Sequence, residues 1–224
     1  MLVNAHSTDQ PLIRVQNLGK KRGDHTLWSQ QSFTVAAGTS LAITGPSGAG
    51  KTTLLNCIGL LERADTGTLE LDGTDATHPS STRRRHLFRN TVSHLFQNYA
   101  LVESWPVDRN LDVAFIGRSV SRGDRRIQRA QALDRVGLRN HGARPTHTLS
   151  GGEQQRVALA RLLLKKSRII AADEPSAALD DDNVAMVLSV LDELRDGGAA
   201  IVIATHDEKV SEWCDERLHL DKTN

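Results

Sequence analysis

The sequence predicts an α/β protein whose core is a mixed or parallel sheet carrying a phosphate-binding loop, with an antiparallel β edge subdomain and an α-helical subdomain attached. Three observations predict it. The run Gly45-Pro46-Ser47-Gly48-Ala49-Gly50-Lys51-Thr52-Thr53 fits G-x-x-x-x-G-K-[ST] between an apolar stretch and a helical pattern. Two further stretches, Arg168-Ile169-Ile170-Ala171-Ala172-Asp173 and Ala199-Ala200-Ile201-Val202-Ile203-Ala204, are too apolar for a sheet with one wet face. Between them Val184, Val187, Leu188, Leu191 and Leu194 recur at helical spacing and Gly197-Gly198 supplies a stop, which implies a right-handed parallel crossover.

The loop is the centre of the reading. Ser40-Leu41-Ala42-Ile43-Thr44 precedes it as a short strand, and Thr53 to Leu61 follows as the first turns of a helix. Its glycines let backbone N–H groups turn inward at the positive end of the helix dipole, which makes a concave seat for phosphate oxygens. Lys51 reaches the outer phosphates and the Thr52 hydroxyl binds Mg²⁺.

Taken in order, residues 1–11 read as a flexible N-terminal tail and 12–224 as a single domain. Leu12-Ile13-Arg14-Val15 and Ser32-Phe33-Thr34-Val35 suggest short strands separated by the turn-rich stretch Gly19 to Asp24, and Gly67 to Gly73 adds a strand to the same antiparallel edge. Residues 78–165 hold arginine-rich helical patterns over Ser81 to Asn90, Arg125 to Gly137 and Glu153 to Lys165, read as a helical insertion.

Composition narrows the class without choosing a partner. The 224 residues carry 28 basic and 27 acidic side chains, so overall charge favours neither nucleic acid nor an acidic partner. Cys57 and Cys214 lack metal-ligand spacing and suit reduced thiols. No apolar run approaches the roughly 18 to 20 residues of a membrane span, and the start lacks a signal-peptide core, so a soluble cytoplasmic protein is expected. The arginines at 83–85, 89, 122, 125, 126 and 129 read as solvated helix faces, with electrostatic contact near a membrane surface as the alternative.

Two more strings carry chemistry. Asp173-Glu174 ends a buried strand, where open α/β sheets place ligands. Asp173 would hold Mg²⁺ through its water shell, and Glu174 would orient the attacking water. Leu149-Ser150-Gly151-Gly152-Glu153-Gln154-Gln155-Arg156 opens a helix with N–H groups and a hydroxyl aimed at an anion, a second phosphate site. One nucleotide cannot lie on both helix starts unless they face each other across an interface.

With GPSGAGKTT, LSGGEQQR, AADEP and ATHD in this order, the chain resembles an ABC-transporter ATP-binding subunit over residues 12–220. The resemblance implies a P-loop NTPase fold of the ABC ATPase kind, ATP and Mg²⁺ as cofactors, and ATP hydrolysis powering a separate integral-membrane permease from the inner face of the membrane. It implies that Gln97 senses Mg²⁺ and the attacking water, that His206 contacts the γ-phosphate, and that Ser176-Ala177-Ala178-Leu179-Asp180 is the dimer-contact loop. Ser150, Gly151 and Gly152 would then close on the nucleotide held by the partner copy's Lys51, in a head-to-tail homodimer. Phe96 to Glu103, Leu149 to Lys165 and Thr205-His206-Asp207 narrow the likeness to the macrolide-exporter, lipoprotein-release and cell-division group (MacB, LolD, FtsE), nearest the lactococcin-type bacteriocin exporters.

Where such proteins stack an aromatic on adenine, this chain has Lys20-Lys21-Arg22-Gly23, so Arg22 is the expected base contact, with His25 or Trp28 as substitutes. Tyr99 to Trp105 is expected to line a groove for a permease helix. Two other readings share the chemistry: a regulatory ATPase that transmits force to an envelope or cell-division enzyme, and a soluble ABC ATPase such as an iron–sulfur assembly factor.

Overall fold

A computed structural model describes residues 10–177 and 179–222. Of the predicted tail, residues 1–9 lie outside the described residues. Strands β1 (Ile13–Arg22) and β2 (His25–Val35) form one long antiparallel hairpin, turning at Gly23-Asp24 with Gly23 at φ 62°. The turn expected over residues 19–24 is therefore confined to its last two, and residues 19–22 continue the strand. Gly19 lies inside β1 because Thr66 Oγ1 passes so close that a Cβ would collide with it. This glycine serves a close approach, which sequence cannot distinguish from a turn.

Strand β3 (Ser40–Thr44) leads through the glycine-rich loop into helix α1 (Lys51–Ile58), two residues earlier than the apolar pattern suggested, and the helix ends at Gly59. Strands β4 (Thr66–Leu71) and β5 (Thr74–Asp75) complete an antiparallel sheet of order β2-β1-β4-β5. Next come helix α2 (Ser81–Asn90), strand β6 (Val92–Leu95), and helices α3 (Val107–Asp112), α4 (Arg122–Arg135) and α5 (Gly151–Lys165). The chain finishes as β7 (Ile169–Asp173), α6 (Asp181–Asp196), β8 (Ala200–Ala204), α7 (Glu208–Trp213) and β9 (Glu216–His219).

The core sheet has order β6-β7-β8-β3-β9 and is parallel throughout. Two of its strands were not expected. Val92-Ser93-His94-Leu95 sits within the stretch read as a helical insertion, yet it pairs with β7 from Val92↔Ile169 to Leu95↔Ala172. Glu216-Arg217-Leu218-His219 joins the opposite edge against β3. Both runs are short and mixed in polarity, so they carry no period; the neighbouring strand supplies their structure.

Burial on both faces explains the apolar runs. Ala42, Ile170, Ala172, Ile201 and Ile203 face a core shared with α3, α4, α5 and α6. Their neighbours Leu41, Ile43, Ile169, Ala171, Ala200, Val202 and Ala204 face a second core under α1 and the antiparallel sheet. Ile201 and Ile203 are fully buried, and truncating either to alanine would remove about 2 to 5 kcal/mol. Among the described residues no helix is long and apolar enough to cross a membrane.

Candidate active site

The carboxyl ends of β3, β7 and β8 lie side by side in the sheet, and each runs straight into a loop that faces the same cleft. This edge is where parallel α/β sheets present ligand sites. The cleft holds about 810 Å³ and is lined by the loop residues Gly45, Pro46, Ser47, Gly48, Gly50, Lys51, Thr52 and Thr53, together with Arg22, Gln97, Glu174 and His206. Ala49 is turned into the core instead, 1% exposed.

The loop is shaped by what lies beneath it. Gly45 has φ 137° and its Cα is pressed against the Leu220 carbonyl, where no Cβ fits. Gly50, at φ 88°, rests on Trp28; a Cβ would meet the indole at 2.8 Å, and the Trp28 Nε1–H donates to the Gly50 carbonyl at 3.3 Å. Trp28 is 2% exposed and absent from the cleft lining. It props the loop from below and cannot stack on a base. His25 is exposed but does not line the cleft either, which leaves Arg22 as the expected base contact that does.

Lys51 Nζ donates to the carbonyls of Gly45 at 2.9 Å and Pro46 at 3.3 Å, so its charge is folded over the loop. Thr52 Oγ1 donates to Asp173 Oδ1 at 3.0 Å, across 121 residues. Burial raises the Asp173 carboxyl above the ordinary range; the Thr52 hydrogen bond opposes this, and the neighbouring Glu174 charge adds to it. A hydroxyl beside a carboxylate that lacks solvent suits a hard divalent cation. Among the described residues no group of three or more His, Cys, Asp and Glu gathers to chelate a metal. A cation at this pair would draw its other ligands from phosphate and water, which is the habit of Mg²⁺.

Glu174 adopts φ 46°, unusual for a non-glycine residue, and its N–H donates to the Ala204 carbonyl at 2.9 Å. That turn brings its carboxylate to His206, with Oε1 at 2.8 Å from Nδ1, and brings Oε2 to 3.4 Å from both the Thr205 hydroxyl and the His206 N–H. The His206 side chain is 72% exposed and that of Glu174 only 16%. The imidazole thus stands at the solvent side of the pair and the carboxylate at its buried side.

The second anion-facing string stands apart. Ser150 caps α5, with Oγ accepting from Glu153 N–H at 3.3 Å and Ser150 N–H donating to Glu153 Oε2 at 2.8 Å. None of Leu149, Ser150, Gly151, Gly152 or Glu153 lines the cleft. The loop after Glu174 is tied into the site region: Ser176 Oγ donates to Asp207 Oδ2 at 2.7 Å, and Asp180 caps α6. Of the expected dimer-contact loop, Ser176, Ala177, Leu179 and Asp180 are described, whereas Ala178 lies outside the described residues.

Sequence reasoning missed Leu27, Asn56 and Glu62 in the cleft wall. Asn56 was within reach, since it follows Thr52 by four residues on one helix face. Of the segment Tyr99 to Trp105, Ala100 lines a neighbouring groove of about 530 Å³ together with Phe88, His94 and Phe96, whereas the Trp105 ring stacks under the Arg109 guanidinium, 4.1 Å away.

Residues 28–177 match the ABC transporter family. The pyoverdine export ATP-binding/permease protein PvdT of Pseudomonas aeruginosa is 35% identical over 206 residues, covering 90% of this chain and 31% of its own length. The macrolide export ATP-binding/permease protein MacB of Agrobacterium fabrum is 36% identical over 215 residues, 94% of this chain and 33% of its own. The chain thus spans about a third of the length of these export relatives. The uncharacterized ABC transporter ATP-binding protein YvrO of Bacillus subtilis is 36% identical over 189 residues, 84% of this chain and 82% of its own. Among solved structures, the dimeric bacterial ABC transporter cassette MJ0796 superposes with TM-score 0.86 at 28% identity, covering 93% of this chain and 94% of that one. With the cleft, the separate capped helix and these relatives in hand, the chain belongs to the ABC transporter family, among its ATP-binding proteins of the MacB, PvdT and YvrO type.

Proposed function

We propose that this chain is the ATP-hydrolysing subunit of an export system, driving a separate membrane permease from the cytoplasmic face of the membrane, with a peptide, a bacteriocin or another hydrophobic compound as cargo. The observation that carries the reading is the division of the anion-facing groups. Lys51, Thr52, Asp173, Glu174, Gln97 and His206 gather at one cleft, and the Ser150-Gly151-Gly152 tip lies outside it. The reaction centre is completed when two copies meet head to tail, each lending its tip to the other's nucleotide. Export as the direction is supported by the printed functions of the pyoverdine and macrolide relatives and by the bacteriocin-type motifs.

In this mechanism the loop N–H groups and Lys51 hold the substrate's phosphates, and Thr52 and Asp173 hold Mg²⁺. The ion, when bound, neutralises charge on the phosphate oxygens. Arg22 flanks the base. Glu174 accepts a hydrogen bond from the attacking water and aligns it, Gln97 borders the same water, and His206 stabilises charge on the γ-phosphate. His206 and Thr205 hold the Glu174 carboxylate at the cleft before nucleotide arrives.

Turnover measured against protein concentration tests the shared centre. The rate per copy should fall steeply on dilution, and a constant rate down to single copies would defeat the reading. For the cargo, inside-out vesicles bearing the full system should accumulate labelled hydrophobic peptide only with hydrolysable ATP, and lose this with Glu174→Gln. Transport of no such compound, with ATPase activity intact, would instead favour a force-transmitting role.

A further inference from the structure

Helix α5 begins with a conflict of charge. Its first turn holds Glu153, whose Oε2 accepts from the Ser150 N–H at 2.8 Å and so sits at the positive end of the helix. That backbone bond is the main cause holding the Glu153 carboxyl below its usual range, so the group is an anion at neutral pH. A phosphate brought to the same tip is also an anion, and two like charges this close oppose each other. The first turn of α1 carries no acid and has no such conflict.

The other oxygen of Glu153 is where the conflict is answered. Oε1 lies 3.5 Å from Arg144 Nη1 and 3.5 Å from His141 Nε2. Both side chains come from the loop that leads into the tip, and each is anchored through its second nitrogen. Arg144 Nη2 donates to the Thr148 carbonyl at 3.1 Å, and His141 Nδ1 donates to the Arg139 carbonyl at 3.0 Å. The loop is itself fixed to α3, for the Asp108 N–H donates to the Gly142 carbonyl at 2.8 Å and the Val107 N–H to the Arg144 carbonyl at 3.0 Å. Because a carbonyl only accepts, Nδ1 of His141 carries a hydrogen. A neutral imidazole then turns a lone pair toward Glu153, whereas the imidazolium turns an N–H. The charged groups around His141 are Glu153 of α5, Arg144 of its own loop, Asp108 of α3 against Gly142 and paired with Arg129, and the Arg139–Asp134 pair at the end of α4.

We propose that Arg144, together with protonated His141, is a positioning residue that offsets the Glu153 charge, so that the Ser150 tip keeps its cap and still accepts the outer phosphate of a nucleotide held by a second copy. This rests on the reading above, in which the tip closes on the other copy's nucleotide. The two oxygens of Glu153 divide the work: Oε2 holds the shape of the tip and Oε1 takes up the cations.

Arg144→Ala, Arg144→Lys, and Arg144→Ala with Glu153→Gln test this in the full chain, beside Ser150→Ala. Light scattering in a Glu174→Gln background gives the ATP concentration that half-assembles the dimer, and calorimetry gives the ADP affinity of single copies. Arg144→Ala should raise the half-assembling concentration about five- to tenfold while ADP affinity stays within about twofold. Arg144→Lys should recover at least about half of the loss, because a charge and not a fork is required. Glu153→Gln keeps an acceptor for the Ser150 N–H and removes the charge, so the double variant should assemble within about twofold of the parent. A double variant as poor as Arg144→Ala would mean that Arg144 only supports the loop, and would overturn the proposal. So would an Arg144→Ala that assembles within about twofold of the parent. His141→Gln should flatten the parent's easier assembly from about pH 8 down to about pH 6, and an unaltered profile would overturn the part given to His141. If Ser150→Ala impairs assembly and Arg144→Ala does not, only the counter-charge falls. If Ser150→Ala also assembles normally, the reading of the tip falls and the counter-charge with it.

Discussion

The N-termini of α1 and α5 both face anions in the proposed mechanism, yet they are built in opposite ways. Helix α1 starts from Gly50 with no side-chain cap and no acid in its first turn. Helix α5 starts from a full capping box in which Ser150 and Glu153 satisfy each other's backbone N–H groups. Helices α2, α4, α6 and α7 also carry a Ser or Asp cap, and α3, uncapped at Pro106, has Asp108 in its first turn, whereas α1 has neither cap nor acid. A bare helix start keeps its N–H groups for a ligand, whereas a boxed one must exchange internal hydrogen bonds for ligand contacts. In the proposed mechanism the first is therefore a resting phosphate seat, and the second engages only when a nucleotide is brought to it. Helix α1 tolerates its bare end because other residues hold it: Trp28 lies under Gly50, and His94 Nε2 meets the Gly59 carbonyl at 2.9 Å at the far end.

The largest expected effects break the α1 side. Lys51→Ala should remove MgATP binding measured by calorimetry and lower turnover by about 10³-fold, leaving melting within about 2 °C because no cap is lost. Glu174→Gln should lower turnover by about 10²- to 10³-fold and trap an ATP-bound dimer visible by size-exclusion chromatography. Retained affinity in the first variant, or normal turnover in the second, would show that the bare tip is not the seat of the chemistry.

An intermediate effect tests the far anchor of α1. Burial lowers the His94 pKa from 6.5 to about 4, since the imidazolium is poorly solvated there; the Gly59 hydrogen bond opposes the shift and Lys165 adds to it. The folded state thus binds this proton less readily than the unfolded chain. Its contribution is complete above pH 6.5 and is lost as pH falls through 4, up to about 3 kcal/mol. Denaturant unfolding between pH 7 and 4 should show a smaller acid loss for His94→Gln than for the parent, and equal slopes would refute the assignment.

Smaller effects sharpen the α5 side. Ser150→Ala should lower melting by about 2 to 4 °C through the lost cap. It should also slow turnover about tenfold while ADP binding by one copy is unchanged. Glu153→Gln keeps the geometry of the box and loses only the charge near the helix start, so melting should fall by about 1 to 2 °C. The backbone bond from Ser150 comes first in holding the Glu153 carboxyl below its usual range, so the parent's extra stability should fade at acid pH and the variant's should not.

The phosphate loop, the Asp173-Glu174 pair and the Ser150 string could be read from sequence because their chemistry demands particular residues at fixed local spacing. Gly45 and Gly50 are needed for backbone shapes that few other residues adopt, and Thr52 must directly follow Lys51. The apolar runs of β7 and β8 were equally legible, since a strand covered on both faces admits little else. What escaped is settled by partners far along the chain. Val92–Leu95 is a strand because Ile169–Ala172 lies beside it. Gly19 continues a strand because Thr66 passes over it, and Trp105 stacks under Arg109.

By itself, then, the sequence determined which residues are proposed to hold phosphate and align water, for those duties are encoded in side-chain type and spacing along a few consecutive positions. Only the tertiary structure decided that Trp28 props the loop, that Thr52 meets Asp173 and Glu174 meets His206, and that the Ser150 tip lies outside the cleft. Those facts depend on contacts between segments as far apart as 121 residues, and the free energy of such contacts comes from packing and shared hydrogen bonds that exist only once the chain has closed on itself.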